Sequence, residues 1–348
     1  MKIAVYTIAK NEAQFVERWH QSACDADSLH ILDTGSNDQT VTAARDLGID
    51  VVVRKFDPWR FDHARNANLA MVPNGIDICI ALDMDEILLP GWRDELENLG
   101  TEITRPRYKY TWSWKSEGVP GLQYGGDKIH ARHGYKWKHP VHEVLVTDGI
   151  EEVQEWCGLE IHHHPDASKS RSQYLPLLEL AVKEDPEDDR NAHYLAREYF
   201  FHNKHKKAEA EFKRHLSLPR ATWGAERAQS YRYLYKITNK PEYLDAAIKE
   251  DPERREAYVD MAFHYYKAAD WIPCLHYAKQ ACSITEKPLA YLVEDFAWGS
   301  LPYDLAALAA YNLGYYEDAK SYGMEAVKLS PHEDRLVDNL RMYEEAAA

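Results

Sequence analysis

Cysteine is scarce in this chain of 348 residues and falls in no pattern. Cys24, Cys79, Cys157, Cys274 and Cys282 form no Cys-x-x-Cys pair. Their odd number and irregular spacing support neither a disulfide framework nor a structural zinc site. A reducing, cytoplasmic compartment is the expectation. Long apolar runs are missing as well: none approaches the roughly eighteen residues of a membrane helix. The apolar start, Met1 to Ile8, runs into Lys10-Asn11-Glu12 without a small-residue cleavage site and reads as a first strand. Positive charge is outweighed, with 42 Lys and Arg against 57 Asp and Glu and a net charge of −15. That balance argues against a broad phosphate-binding surface and against nonspecific nucleic-acid binding, while leaving room for one basic cleft. No Gly-x-Gly-x-x-Gly follows the first strand, which weakens a dinucleotide-binding reading.

Aromatic residues are plentiful: 23 Tyr, 10 Trp and 8 Phe. They suit both helical-repeat packing and sugar-binding faces, so the order of elements must choose. In the first half, short apolar runs at Ile3–Ile8, Leu29–Leu32, Val51–Val53 and Ile76–Leu82 alternate with helical patterns. One such pattern carries Phe15, Val16 and Trp19 on one face with Asn11 as its cap, and the next holds Val41, Ala44 and Leu47. The last runs through Ala64, Ala67, Leu69 and Ala70. This order predicts a parallel sheet with helices on both faces. Ligands of such sheets lie at the carboxyl ends of the strands, where Asp33 and Asp83 fall. Beyond Pro90 the spacing predicts an aromatic-faced strand through Tyr108, Tyr110, Trp112 and Trp114, another at Lys128–Arg132, and later segments at 137–145 and 159–165.

From about Ser168 the pattern is helical to the last residue. Small-aromatic pairs recur at Ala196/Tyr199, Ala228/Tyr231 and Ala262/Tyr265, in steps of 32 and 34, and Ala307/Ala310 follows after 45. Pro219, Pro252, Pro288 and Pro331 stand at matching offsets. The period resembles about four tetratricopeptide repeats, the last preceded by an insertion around Glu294 to Pro302. An all-α, tetratricopeptide-like domain over 168–348 is therefore expected after an α/β domain over 1–167.

The segment with most chemistry is Ala81-Leu82-Asp83-Met84-Asp85-Glu86, an apolar strand ending in carboxylates. Carboxylates are hard oxygen ligands for Mg²⁺ or Mn²⁺, and a metal there would bridge a diphosphate and neutralise charge as its bond breaks. The Asp-x-Asp triplet gains weight from its neighbours. Ile8-Ala9-Lys10-Asn11-Glu12, Asp33-Thr34-Gly35-Ser36-Asn37-Asp38-Gln39-Thr40 and Phe61-Asp62-His63-Ala64-Arg65-Asn66 precede it in order, each at an expected strand end.

Together these motifs resemble the inverting family 2 glycosyltransferases of the Rossmann-like GT-A fold, in particular bacterial members with a tetratricopeptide tail. The resemblance covers about residues 1–165 for the catalytic part. It implies a donor that is a nucleoside-diphosphate sugar, usually of UDP, with Mn²⁺ or Mg²⁺ as cofactor. Thr7 and Glu12 would line base and ribose, Asp33 would bond one of them, and Asp38 would order the next helix start. Arg65 would contact the diphosphate or orient the acidic motif. Asp83 would touch the ribose and the metal shell, and Asp85 would bind the metal. The segment from Trp137 to His142-Glu143 is similar to the family's acceptor side, making Glu143 the expected base, with His142 second. Within His162-His163-His164, strand alternation puts His163 with Leu159 and Ile161. The family's Ile-x-His pattern also favours His163 for the metal, though the bend at Pro165 leaves His164 open.

The acceptor is left open among glycan, protein, lipid-linked sugar and modified nucleobase. Tyr194, Tyr199, Arg197, Tyr231, Arg232, Tyr265 and His264 would supply recognition contacts on the repeats, which are also expected to serve a homo-oligomer. Two rivals stand beside this reading. A nucleotidyltransferase would need a glycine-rich loop where Ala9-Lys10-Asn11-Glu12 stands. A repeat scaffold with a degenerate transferase domain would not need to keep Asp33, Asp83, Asp85 and Glu143.

Overall fold

A computed structural model describes residues 1–166 and 173–348. It divides into two compact units, Met1–Glu184 with Leu289–Tyr291, and Asp185–Pro288 with Leu292–Ala348. The boundary expected at 167/168 lies outside the described residues. The helix Tyr174–Glu184, expected with the helical half, belongs to the first unit.

The α/β unit begins with β1 (Ile3–Ala9), α1 (Ala13–Ala23), β2 (Ser28–Asp33), α2 (Thr40–Asp46), β3 (Asp50–Val53), α3 (Phe61–Leu69) and β4 (Ile78–Ala81). Strands β1 to β4 pair in parallel, as their alternation with helices requires. The side chains of β1 separate by parity. Ile3, Val5 and Ala9 pack with Val16, Trp19 and Ala23 of α1, while Ala4 and Tyr6 pack with Leu69 of α3. Asn11 does not cap α1. It is left-handed, with φ of 57°, and its Oδ1 accepts the Asn37 amide at 2.8 Å. Asp38 does order helix starts: its carboxylate accepts the amides of Thr40 and of Ala13, the first residue of α1.

There follow β5 (Glu86–Leu88), α4 (Trp92–Glu97), β6 (Arg105–Thr111), β7 (Trp114–Ser116), β8 (Val119–Pro120), β9 (Gln123–Gly126), β10 (Ile129–Ala131), β11 (Tyr135–Lys138), β12 (Val144–Thr147), β13 (Gln154–His163) and α5 (Tyr174–Glu184). Strand β10 joins β4 antiparallel, completing a sheet ordered β10-β4-β1-β2-β3. A second sheet is ordered β5-β13-β6-β9. The aromatic strand expected to reach Trp114 ends at Thr111. Buried Tyr108 and Tyr110 keep one face, and the chain turns before Trp114 opens a small hairpin with β8. The stretch 137–145 is likewise two strands: β11 and β12 pair antiparallel around a loop that holds His142 and Glu143.

The helical unit comprises α6 (Asp189–Phe201), α7 (His205–Ser217), α8 (Gly224–Thr238), α9 (Glu242–Glu250), α10 (Arg255–Lys267), α11 (Trp271–Ser283), α12 (Asp295–Trp298), α13 (Leu301–Asn312), α14 (Tyr316–Leu329) and α15 (Asp334–Ala347). Helices α6/α7, α8/α9, α10/α11 and α13/α14 pack as successive pairs, a tetratricopeptide-like repeat. Ala196, Ala228, Ala262, Ala307 and Ala310 are all buried on the first helix of a pair, where small side chains let the second approach. The insertion carries α12. Several residues expected to face a ligand are engaged inside the unit. Arg232 is buried between Asp260 and Glu294, Tyr231 stacks on Tyr243, Tyr265 stacks on Tyr277, and His264 bonds the Tyr235 hydroxyl. Among the described residues no helix is long and apolar enough to cross a membrane.

Candidate active site

The register of two strands builds the centre of the site. Strand β13 pairs antiparallel with β5 so that His163 lies opposite Glu86, and the His164 amide donates to the Asp85 carbonyl at 2.7 Å. This brings His163 Nε2 to 3.4 Å from Asp85 Oδ2, a residue distant in sequence. The other ring nitrogen, Nδ1, lies 2.9 Å from the Trp112 carbonyl. A carbonyl only accepts, so Nδ1 carries a proton toward Trp112, and Nε2 is the ring nitrogen on the side of Asp85. The ring stacks on Trp112, centroids 4.2 Å apart. Burial disfavours the imidazolium, but Asp85 and the Trp112 carbonyl outweigh it and hold the pKa above the ordinary value. His162 bonds Glu160, and His164 stacks on Trp114. Of the three histidines, His163 is the one whose ring nitrogen lies next to the Asp85 carboxylate.

Asp83 is placed differently from Asp85. Its Oδ1 accepts Arg65 Nη2 at 2.7 Å and its Oδ2 accepts Lys128 Nζ at 2.6 Å. Burial alone would raise this carboxyl. Arg65 and Lys128 overcome that and hold it well below the carboxylate range. Both oxygens of Asp83, expected in the metal shell, are engaged here by protein cations. Lys128 also reaches Glu86 Oε1 at 3.1 Å, and the Tyr110 hydroxyl donates to the same oxygen at 2.6 Å. Glu86 is 1% exposed, and burial pushes its carboxyl up.

Arg65 connects the acidic motif to Trp137 and Glu143. Its Nε donates to Glu143 Oε1 at 2.5 Å, and its guanidinium lies 4.9 Å from the centroid of the Trp137 ring. The neighbouring Asn66 fixes this arrangement, trading two 2.8 Å bonds with the Trp137 backbone as a strand partner would. Of the two expected roles of Arg65, orienting the acidic motif is the one its bonds serve. Glu143 is half-buried beside it, while His142 is left-handed, with φ of 49°, and packs edge-on against Tyr174.

Three residues expected at the nucleotide are turned inward or tied to turns. Thr7 is fully buried, and its carbonyl accepts Asn68 Nδ2, so its side chain presents no surface. Asp33 is also fully buried. Its Oδ1 accepts the Gly35 and Ser36 amides at 2.9 Å and its Oδ2 accepts the Ser36 hydroxyl, so it shapes the turn after β2. Glu12 is buried at the start of α1, its amide donating to Thr40 Oγ1 at 2.7 Å. The sequence reading passed over Lys128 and the role of Glu86. Lys128 stood at the start of an expected strand, but only the pairing of β10 with β4 puts it beside Asp83.

Comparison with known proteins gives limited company. No protein-family profile matches the chain. A stretch of 108 residues, 31% of the chain, is 33% identical to a protein of Rickettsia bellii (strain RML369-C) named uncharacterized glycosyltransferase. The match spans about a third of that relative, 35% of its length. Similar solved structures include PilF of Pseudomonas aeruginosa, 15% identical with a TM-score of 0.37, over 49% of this chain and 72% of that one. A thermophilic TPR protein of Thermus thermophilus is 18% identical with a TM-score of 0.31, over 50% of this chain and 88% of that one.

Proposed function

We propose that the chain is a metal-dependent, inverting glycosyltransferase of the GT-A type that moves a sugar from a nucleoside diphosphate, UDP being the expected carrier, to an acceptor hydroxyl. The observation that carries the reading is the meeting of Asp85 and His163 at 3.4 Å at the carboxyl edge of the parallel sheet. Among the described residues no three His, Cys, Asp or Glu side chains gather as a closed metal cage. Two ligands suit Mg²⁺ or Mn²⁺ at a nucleotide site, where phosphate oxygens and water complete the shell. Asp85 and His163 would hold the ion, which supplies charge neutralisation for a departing diphosphate.

The chain's own residues account for the rest. Glu143 takes the acceptor's proton as the acceptor oxygen bonds to the anomeric carbon and the bond to the diphosphate oxygen breaks. Arg65 holds that carboxylate and Asp83 in one frame, and Lys128 fixes Asp83 from the other side. Held by two cations, Asp83 is aimed rather than mobile, which keeps the reacting groups aligned. Named similarity of a third of the chain to a glycosyltransferase supports the same class.

The test is donor turnover with a panel of nucleotide sugars in the presence of Mn²⁺. Asp85→Asn keeps size and one acceptor oxygen but removes charge, and it should lower donor hydrolysis or transfer at least about 100-fold, as should a chelator. Undiminished turnover in excess chelator would remove the metal from the mechanism.

A further inference from the structure

The second sheet buries one face, and the other carries side chains that the proposed chemistry does not use. Tyr108, Tyr110, Leu159, Ile161 and His163 are buried on the core side. Between them, Arg107, Lys109 and Thr111 of β6 stand on the outer face opposite Trp156, Glu160 and His162 of β13. Trp156 is the unusual member. It is 54% exposed, although an indole is among the largest apolar groups a chain can bury. Its ring is nevertheless held. It crosses β6 to reach Gly125 of β9, where a Cβ would stand 2.7 Å from the indole Cη2, so glycine is what leaves room for it. The Arg107 guanidinium lies 5.9 Å from the ring centre and donates through Nη2 to the Gly125 carbonyl at 3.3 Å. The indole is thus laid across the sheet with much of its surface in water, and little side-chain freedom is lost when a ligand covers it.

The rest of the face decides which ligand. Lys109 Nζ meets Glu160 Oε2 at 2.5 Å, and the Thr111 hydroxyl and His162 Nε2 lie 3.0 and 2.9 Å from the other oxygen of that carboxylate. Lys109 and Glu160 cancel, which leaves Arg107 as the one ion of this face without an opposite charge among the described residues. Such a face has no field for a polyphosphate or an acidic membrane. It sets a flat ring beside hydrogen-bonding groups instead. The Lys109 side chain is 45% exposed and keeps ammonium hydrogens beyond the one given to Glu160. A pyranose is divided in the same way, with an apolar C–H face that packs on the negative face of an aromatic ring and hydroxyls around its rim. The far end of the face reaches the candidate active site. There Trp114 meets His162 edge-on, centroids 4.7 Å apart, and its Nε1 donates to the His163 carbonyl at 3.1 Å. From Arg107 to Thr111 the strand rises about 13 Å, more than a single sugar ring covers.

We infer that this outer face binds a neutral glycan, and that Trp156 stacks on a sugar remote from the one that reacts. The acceptor is then an oligosaccharide chain that runs along β6 and β13 toward Trp114. Its role as acceptor rests on the glycosyltransferase reading, whereas its binding does not.

Calorimetric titration of the full chain tests it without any donor. The probes are hexaoses of β-1,4-linked glucose, α-1,4-linked glucose and β-1,4-linked N-acetylglucosamine, each beside its monosaccharide. A hexaose should bind, and its monosaccharide should bind at least about 10-fold more weakly, since one ring cannot span the face. Trp156→Ala should weaken the hexaose about 10-fold or more, the scale of a lost aromatic anchor, and Trp156→Phe should recover part of that. Hydrolysis of the donor by water needs no acceptor and should be unchanged in both variants, which also shows that the site is folded. If the unaltered chain binds no hexaose, or if Trp156→Ala binds it equally well, the inference is overturned and the glycosyltransferase reading stands. Binding to phosphatidylglycerol vesicles that depends on Trp156, in place of hexaose binding, would also overturn it. Trp156-dependent hexaose binding by a chain that turns over no donor would uphold the glycan face and strike the acceptor role together with the functional reading.

Discussion

Glu143 and Asp83 share one arginine, and that makes the roles of the two carboxylates separable by experiment. Arg65 is 5% exposed and stacked on Trp137, so its two bonds are set by its own packing rather than by either acid. Glu143→Gln leaves an amide oxygen to accept from Arg65 Nε but removes the carboxylate proposed to take the proton. Turnover should fall by about 100-fold or more, the range of a lost general base. Affinity for a nucleoside diphosphate should stay within about threefold, because the lost interaction belongs to the transition state. Steady-state kinetics beside calorimetry check this. A collapse of nucleotide binding would mean that Glu143 acts through Arg65 on the acidic motif, and His142 would become the candidate base. At this scale the sequence was informative where spacing alone decided. The side of His163 followed from alternation, and β13 buries Leu159, Ile161 and His163 on one face. It was uninformative for Thr7 and Asp33. Nothing local distinguishes a carboxylate aimed at a ligand from one that folds back onto the amides two and three residues on.

Elements were legible where a single period ran long enough. The four parallel strands and the paired helices stand where their patterns put them, while 137–145 was read as one stretch because its turn residues carry no glycine. The pairing of β13 with β5 and of β10 with β4 could not be read at all, since register between strands far apart in sequence is decided by packing rather than by spacing. The first helix pair and its neighbour hold a feature of the same hidden kind. His193 of α6, Ser230 of α8 and His215 of α7 form a fully buried chain, each imidazole Nδ1 lying 2.9 Å from the Ser230 hydroxyl. One hydroxyl proton serves two rings, so one histidine donates and the other accepts. Both Nε2 atoms are buried without a partner. Burial, with Arg227 and Arg214 behind it, lowers His215 to about 4. Burial, with Arg197, His215 and Arg190, lowers His193 well below its usual value. Groups depressed in this way bind their protons on unfolding. Their contribution is full above about pH 6.5 and is lost as acid approaches the folded values. Urea unfolding of the helical unit should therefore weaken between about pH 7 and 5.5, and less so in a variant with both histidines replaced by Gln. Equal pH slopes for the two proteins would show that the pair does not govern acid stability. Ser230→Ala, which strands both Nδ1 atoms, should cost about 1–3 kcal/mol at neutral pH.

Across the whole molecule two units carry two separate cores, and the helical one depends on a contact that the repeat pattern does not contain. Arg232 of α8 is 2% exposed and donates to Asp260 at 2.7 Å, to Gln229 at 2.7 Å and to Glu294 at 2.6 Å. Glu294 comes from the insertion before α13, and it also accepts Gln229 Nε2 at 2.8 Å. Burial would raise its carboxyl, but Arg232 and Lys236 prevail and hold it at about 2. For an acid this sign means stability that is complete above pH about 4.3 and lost only as the pH falls toward the folded value. At neutral pH the charge is thus fully used, and the insertion acts as a brace on α8 and α10 rather than as a loop. Glu294→Gln keeps an acceptor for Gln229 but leaves Arg232 with one carboxylate fewer, which should lower stability by about 1–3 kcal/mol, the range for hydrogen bonds to charged groups. Because Asp85, His163, Arg65 and Glu143 all lie in the other unit, the metal-dependent diphosphate binding proposed above should be unchanged in the same variant. Calorimetric melting beside a diphosphate titration reads both quantities on one sample. A parallel fall in stability and in diphosphate affinity would show that the brace reaches the site, and that the two cores work as one.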